Sequence, residues 1–273
     1  MVFSKRGAFL SVFFLGGLGF LGAETNGAFL GAGFQYSYLA GADHYTKLNT
    51  TIQTPFQVDE LAIESNLYGG DLQVGYKQFF GTSKRFGLRY YGMFSGHTGN
   101  YYKNGFNTSA QYMTMTTVGR ATNFFYGVGM DALYNFYENK AKERSFGVFG
   151  GFVIGGSSWY LDKGYRNSLC LTSYLGNPTS CVSVNASLGA KYKDTQTKFQ
   201  PTYVQFAFNL GFRLNFSKHV GVETGVRVPV INDPFFKGKN TTDDGEIPGG
   251  NGSTEEFAFR RTIVFFINYV ANF

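Results

Sequence analysis

Eight charged side chains, Asp71, Lys77, Arg89, Asp131, Arg213, Glu223, Arg227 and Arg260, fall on the minor face of otherwise apolar, alternating segments. Three carboxylates and five cations could line a charged constriction in a pore. They could equally pair off as ion pairs, because an unpaired charge away from water is expensive. One pairing can be read directly. If the tight turn Ser217-Lys218-His219 is symmetric about Lys218, Arg213 lies opposite Glu223 across the hairpin, and the two are expected to form a salt bridge.

Other chemistry is thin. His44, His97 and His219 are scattered, and none stands near a cysteine at metal-ligand spacing, so no metal site is expected. A nucleophilic serine needs an oriented histidine within hydrogen-bond reach, and the chain has no G-x-S-x-G segment. No enzyme is expected, and no cofactor. Asp243, Asp244, Glu246, Glu255 and Glu256 form an acidic cluster that reads as a solvated loop. The formal net charge of +6 is spread along the chain without a basic block, so no nucleic-acid partner is expected.

The elements that must carry the charges are strands. The chain combines 31 Phe and 19 Tyr with 37 Gly and only 6 Pro. Aromatics favour strands, and Gly relieves crowding on a tight inner face. Period-two alternation marks 27–38, 67–77, 86–94, 122–136, 145–156, 202–216, 220–228 and the C-terminal segment, which makes eight strands. In 202–216, Val204, Phe206, Phe208, Leu210, Phe212, Leu214 and Phe216 alternate with Gln205, Ala207, Asn209, Gly211, Arg213 and Asn215.

The connections alternate between long (40–65, 97–120, 161–200, 232–256) and short (81–85, 138–144, 217–219). Long loops on one side and tight turns on the other are the pattern of outer-membrane barrels, with the turns in the periplasm. The predicted fold is all-β: an eight-stranded antiparallel transmembrane barrel with four long extracellular loops. Outward aromatics such as Tyr36, Tyr38, Tyr90, Tyr126, Tyr134 and Tyr160 fit interfacial girdles in outer-membrane lipid. An eight-stranded interior is about wide enough for side chains to fill it. If 169–192 entered the membrane as a further hairpin, the barrel would have ten strands and could enclose a narrow channel.

Residues 1–23 read as a secretory signal peptide: Lys5 and Arg6, an apolar run over 7–20, and cleavage after Ala23. The mature barrel and its loops then span 24–273, in the outer membrane of a Gram-negative bacterium. Export fits an oxidised pair, so Cys170 and Cys181 are expected to form one disulfide, worth about 3 kcal/mol on a chain-entropy model. The alternation at Val182, Val184, Ala186, Leu188 and Ala190 suggests a hairpin standing above the membrane and braced by that bond.

The closing TIVFFINYVANF resembles the C-terminal signature of outer-membrane proteins, which ends alternate apolar residues on a terminal Phe. By that resemblance Ile267, Tyr269 and Phe273 would be the signal read by the barrel-assembly machinery. NGAFLGAGFQYS near the N-terminus, FNLGFRLNFSKHVGVETGVRVPV (208–230) and the closing strand together resemble the Helicobacter outer-membrane protein family. That family includes adhesins and porin-like members built on a conserved barrel with variable surface loops. The long loops, where binding function concentrates, point to an adhesin-like surface protein, monomeric or weakly oligomeric, whose loops meet a host or environmental ligand and whose lumen is plugged by the charged side chains. The alternative is a small porin-like channel.

Overall fold

The computed structural model describes residues 26–48, 55–81, 84–106, 114–139, 144–174, 177–190 and 192–273. Residues 1–23, expected as a signal peptide, lie outside these residues. Eight long antiparallel strands form a closed ring: β1 (Gly27–Leu48), β2 (Pro55–Phe80), β3 (Phe86–Phe106), β4 (Thr114–Glu138), β5 (Ser145–Leu161), β6 (Thr202–Asn215), β7 (Val220–Pro229) and β8 (Thr254–Asn272). Each pairs with the next, and β8 pairs with β1 to close the barrel. The ring has eight strands, and the 169–192 segment does not enter it.

Register fixes the stagger. Successive partners run Gly27, Lys77, Arg89, Asp131, Gly151, Asn209, Arg227, Val264 and back to β1 at Ser37, ten residues above the start (27 to 37). At about 3.3 Å rise per residue and about 4.8 Å between strands, this stagger tilts the strands by about 40°. The same path carries Lys77, Arg89, Asp131, Asn209 and Arg227, so one line of backbone pairing brings widely separated polar residues into one lumen.

The barrel wall has two parts. In the membrane part the outward side chains are apolar and exposed, among them Phe34, Leu72, Val128, Leu210 and Ile267. This belt covers roughly 28–38, 68–80, 86–98, 122–136, 145–160, 202–216, 220–230 and 262–273. Above it β1 to β4 continue as paired strands, so the segments expected as loops at 40–65 and 97–120 are mostly wall. Only 49–54 and 107–113 between them lie outside the described residues.

The other two connections also fold. Residues 233–240 pair with the upper end of β8 on one side and with 195–199 on the other. A small hairpin, 165–166 with 169–170, adds to β4 through Val118 and Tyr165, where β5 has ended at Leu161. The expected alternation of 182–190 is instead a one-turn helix, Val184–Leu188, with Ser183 Oγ capping Ala186 N. Asn185 from that helix accepts from Leu161 N (2.7 Å) and donates to Trp159 O (3.0 Å). It thereby satisfies backbone groups at the end of β5 that an adjacent strand would otherwise pair.

Candidate functional site: the barrel lumen

The membrane half of the lumen is spanned by ion pairs. Arg89 on β3 donates from Nε and Nη2 to Asp131 Oδ2 on β4, at 3.0 and 2.6 Å. Its Nη1 donates to Glu223 Oε2 on β7 at 2.5 Å. Strands β3 and β7 are on opposite sides of an eight-stranded ring, so this one guanidinium bridges the lumen. Lys77 Nζ lies 3.7 Å from Glu223 Oε1 and donates to Asn272 Oδ1 at 2.9 Å.

A second group adjoins the first. Arg227 Nε donates to Asn209 Oδ1 (2.9 Å), and its Nη2 lies 3.8 Å from Asp71 Oδ2. Asn209 Nδ2 donates to Tyr91 Oη (2.5 Å), and Gln73 and Asn268 donate to Asp71. Aromatic rings sandwich the cations: Phe149 lies 4.7 Å from the Arg89 guanidinium carbon, and Phe266 4.9 Å from that of Arg227. Cation–π contact supplies part of the attraction that water would give. Glycine makes the room. A Cβ on Gly151 would stand 2.3 Å from Asp131 Oδ1 and 2.1 Å from a backbone oxygen, and one on Gly211 would stand 2.5 Å from the Phe149 ring.

Seven of the eight charged residues picked from sequence are buried in this lumen. Two expectations need correction. Arg213 is register partner to Glu223, but that carboxylate is engaged by Arg89 and Lys77, while the Arg213 guanidinium carbon lies 5.6 Å from the Phe79 ring. Arg89 wins because the ring closure brings β3 across to β7, which hairpin symmetry alone does not reveal. Arg260 is the second correction. The pairing of β8 with β1 shifts between Tyr38 and Leu39, leaving Thr262 as an extra residue. This bulge reverses the faces above it, so Arg261 is buried and Arg260 is on the outer face, donating to Val230 O at 3.2 Å.

Above the belt the lumen changes character. Leu39, Leu67, Tyr101, Trp159, Phe257 and Phe259 point inward and pack on Phe235 and Phe236. Between Asp233 and Phe236 the register with β8 slips by one residue, so a bulge turns Phe235 and Phe236 inward together. Phe235 is fully buried, its ring 4.9 Å from that of Phe259 and 5.2 Å from that of Phe199. Val184, Leu188 and Tyr192 close the side left by the short β5.

At the upper edge of this core, Asp43 is ion-paired with Lys103, and the Tyr45 hydroxyl donates to Glu255 Oε1 (2.7 Å) with Asp43 Oδ2 at 3.2 Å. Burial pushes the Glu255 carboxyl up to about 7, with the Asp43 charge adding to the rise. Burial likewise raises Asp233 to about 7, and the Tyr45 hydroxyl well above its ordinary range.

The remaining predicted residues fall outside the lumen or at its rim. Cys170 and Cys181 form a disulfide with Cα atoms 5.9 Å apart. Ile267, Tyr269 and Phe273 are exposed on the lipid-facing side of β8, where Phe273 N donates to Ala28 O and ties the terminus to β1. The histidines do not assemble: His44 is on the outer wall beside Glu60, His97 is inside, and His219 is in the short turn before β7. Sequence reasoning missed Arg261, His97, Phe235 and Phe236, and placed Asn209 on the inner face without giving it a role. The Arg260-Arg261 pair was a visible sign of an ambiguous face, but the bulge that decides it was not.

A model of the family described as Helicobacter outer membrane protein matches residues 71–273. No curated protein sequence matches the chain. Among solved structures, the outer membrane protein OprG from Pseudomonas aeruginosa aligns with TM-score 0.47 and 11% identity, over 92% of this chain and 98% of that one. The Escherichia coli outer membrane protease OmpT aligns with TM-score 0.34 and 10% identity, over 93% and 99%. Ail, the attachment invasion locus protein of Yersinia pestis, solved with the heparin analogue sucrose octasulfate, aligns with TM-score 0.28 and 10% identity, over 89% and 97%. At these identities and scores, none bears on what this chain does.

Proposed function

The chain belongs to the Helicobacter outer membrane protein family, and from that premise we propose an adhesin-like surface protein whose lumen does not conduct. The observation that carries this reading is the Arg89 bridge from Asp131 on β4 to Glu223 on β7, which ties opposite walls together within the membrane. The aromatic packing on Phe235 and Phe236 supports closure at a second level. Function then falls to the extracellular half, as is usual where a rigid scaffold presents ordered loops. The disulfide-braced hairpin is the best-equipped part of it, with Tyr165, Leu169 and Leu171 exposed beside Cys170. Exposed apolar side chains on a braced tip suit contact with a host surface ligand.

The same reading assigns residues 1–23 to export, and Ile267, Tyr269 and Phe273 to recognition by the barrel-assembly machinery. It takes the protein to be a monomer or weak oligomer, with no cofactor or catalytic role. A second reading, a small channel, is favoured by one observation: Gln35, Ser37, Ser95 and Asn123 are polar side chains inside the upper lumen. Single-channel recording on refolded protein in a planar bilayer separates the two. The surface-protein reading expects a silent bilayer with folding verified by heat-modifiable gel migration; reproducible conductance steps would replace it with the channel.

A further inference from the structure

Between the ion pairs and the aromatic core lies a polar level that neither accounts for. Gln35, Gly69, His97, Asn123 and Trp159 are successive register partners on β1 to β5. Buried polar atoms without a protein hydrogen-bond partner cluster on this path: both amide atoms of Gln35, His97 Nε2, Asn123 Oδ1 and Trp159 Nε1. Arg261 comes in from β8 at the same height, its Nη1 3.2 Å from His97 Nδ1. Since a guanidinium only donates, His97 Nδ1 accepts, and its Nε2 carries the proton and faces the lumen as a donor.

Charge sets the class of ligand. Arg261 is 3% exposed, and among the described residues no carboxylate lies within 4 Å of it. Its other neighbour is a ring, Phe125, 5.7 Å from the guanidinium carbon. Arg227 is within electrostatic range of both Arg261 and His97, and its Nη1 has no protein partner. Arg227 shares Asp71 with the amides of Gln73 and Asn268, and among the described residues Arg261 has no carboxylate beside it to offset its charge. Asp233 is the other buried carboxylate near this height, and burial favours its neutral form. Two guanidiniums drawn together in a water-poor interior repel each other, and neutral hydrogen-bond partners do not remove that repulsion.

We propose that the upper lumen holds a small inorganic anion between Arg261, Arg227 and the Nε2 of His97. The anion offsets the charge of Arg261 and takes up donors that the protein leaves unpaired, through charge-assisted hydrogen bonds. It sits beneath the aromatic core of Phe235 and Phe236, so it exchanges slowly and stabilises the fold.

The test uses the refolded protein in detergent micelles in a salt whose anion is bulky, with bromide titrated in at constant ionic strength. Unfolding is followed by heat-modifiable gel migration. The unfolding midpoint should rise saturably with bromide, and Arg261→Gln should require at least about tenfold more bromide for the same rise. Arg260→Gln, one residue away on the outer face, should keep the wild-type response. Crystals grown with bromide should show anomalous density among the three donors. An unresponsive midpoint, an equal response in Arg261→Gln, or bromide at the outer surface alone would overturn the proposal. Should Arg261→Gln fail to fold, the anomalous map of the unaltered protein decides by itself.

Discussion

Within the belt the lumen is held by Arg89, Lys77, Arg227 and their carboxylates, whereas above it the same barrel is held by Phe235, Phe236, Trp159 and Phe259. The difference follows from what lies outside the wall. In the membrane, lipid takes the apolar side chains, so the inner face is left with polar residues that must satisfy one another. Outside it, water faces the outer wall, and the apolar residues turn inward as in a soluble sheet. One tube therefore contains two folding problems. Its lower half depends on complete pairing of charges, and its upper half on packing.

Breaking the packing should have the largest effect. Phe235→Ala costs about 3–5 kcal/mol as a large-to-small change in a core, and adding Phe236→Ala raises that further, though less than additively. The loss should be confined to the extracellular half. Limited proteolysis should then cut within 161–200 and 230–253 while the membrane strands stay protected. Equal loss of protection in both halves would mean that the two are one cooperative unit.

Breaking the charge network comes next. Arg89→Ala strands the buried carboxylate of Asp131 and leaves Glu223 with Lys77 alone, at about 3–5 kcal/mol. The denaturant midpoint of the barrel should fall, with the extracellular half protected until the barrel itself opens. Arg89→Met combined with Asp131→Asn should recover much of the loss, since Glu223 keeps Lys77 and no carboxylate is left orphaned. A double variant as unstable as Arg89→Ala would show that shape, not charge, is what the site requires.

The contrast also explains what could be read from the sequence. The membrane halves of the strands were legible because their outward positions are uniformly apolar, as at Phe208, Leu210 and Phe212. The upper halves read as loops because the parity of the pattern inverts. On β2 the apolar side is even-numbered at Tyr68, Leu72 and Val74, but odd-numbered at Ile63 and Leu67. On β5 Phe152 and Ile154 face out, while Trp159 and Leu161 face in. A search for one greasy face stops where that face changes sides. The charged residues were found for the opposite reason, being exceptions on the inner face, yet their partners come from closure of the ring. The Arg89–Glu223 contact joins residues on opposite walls, and no local pattern encodes it.

A smaller effect should appear with pH and be specific to the upper half. Glu255 and Asp233 have folded-state values near 7, above those of an unfolded chain. Folding therefore takes up protons between about pH 4 and 7, and stability from these two groups is greatest below pH 4 and declines as pH rises through 7. Hydrogen exchange of the 233–240 and 254–259 strands should quicken over that range. Glu255→Gln with Asp233→Asn should flatten the profile and leave these strands better protected at pH 8. A profile unchanged by the two substitutions would place the titration elsewhere.

The smallest expected change sharpens the boundary between the halves most. Arg260 and Arg261 are adjacent and chemically identical, and the single extra residue at Thr262 puts one outside and the other inside. Arg260→Ala removes an exposed contact to Val230 O and should shift stability by no more than about 0.5 kcal/mol. Arg261→Ala removes a buried cation that holds His97 and should lower stability several times as much. Deleting Thr262 tests the cause. With the extra residue gone, Arg261 follows Ile263 directly in regular alternation, so Arg261 and the Phe257 and Phe259 rings should keep their inward places and the variant should close its extracellular half like the unaltered protein. A Thr262 deletion that carried Arg260 into the lumen and left the extracellular half open would show that the strand reaches its register by another route.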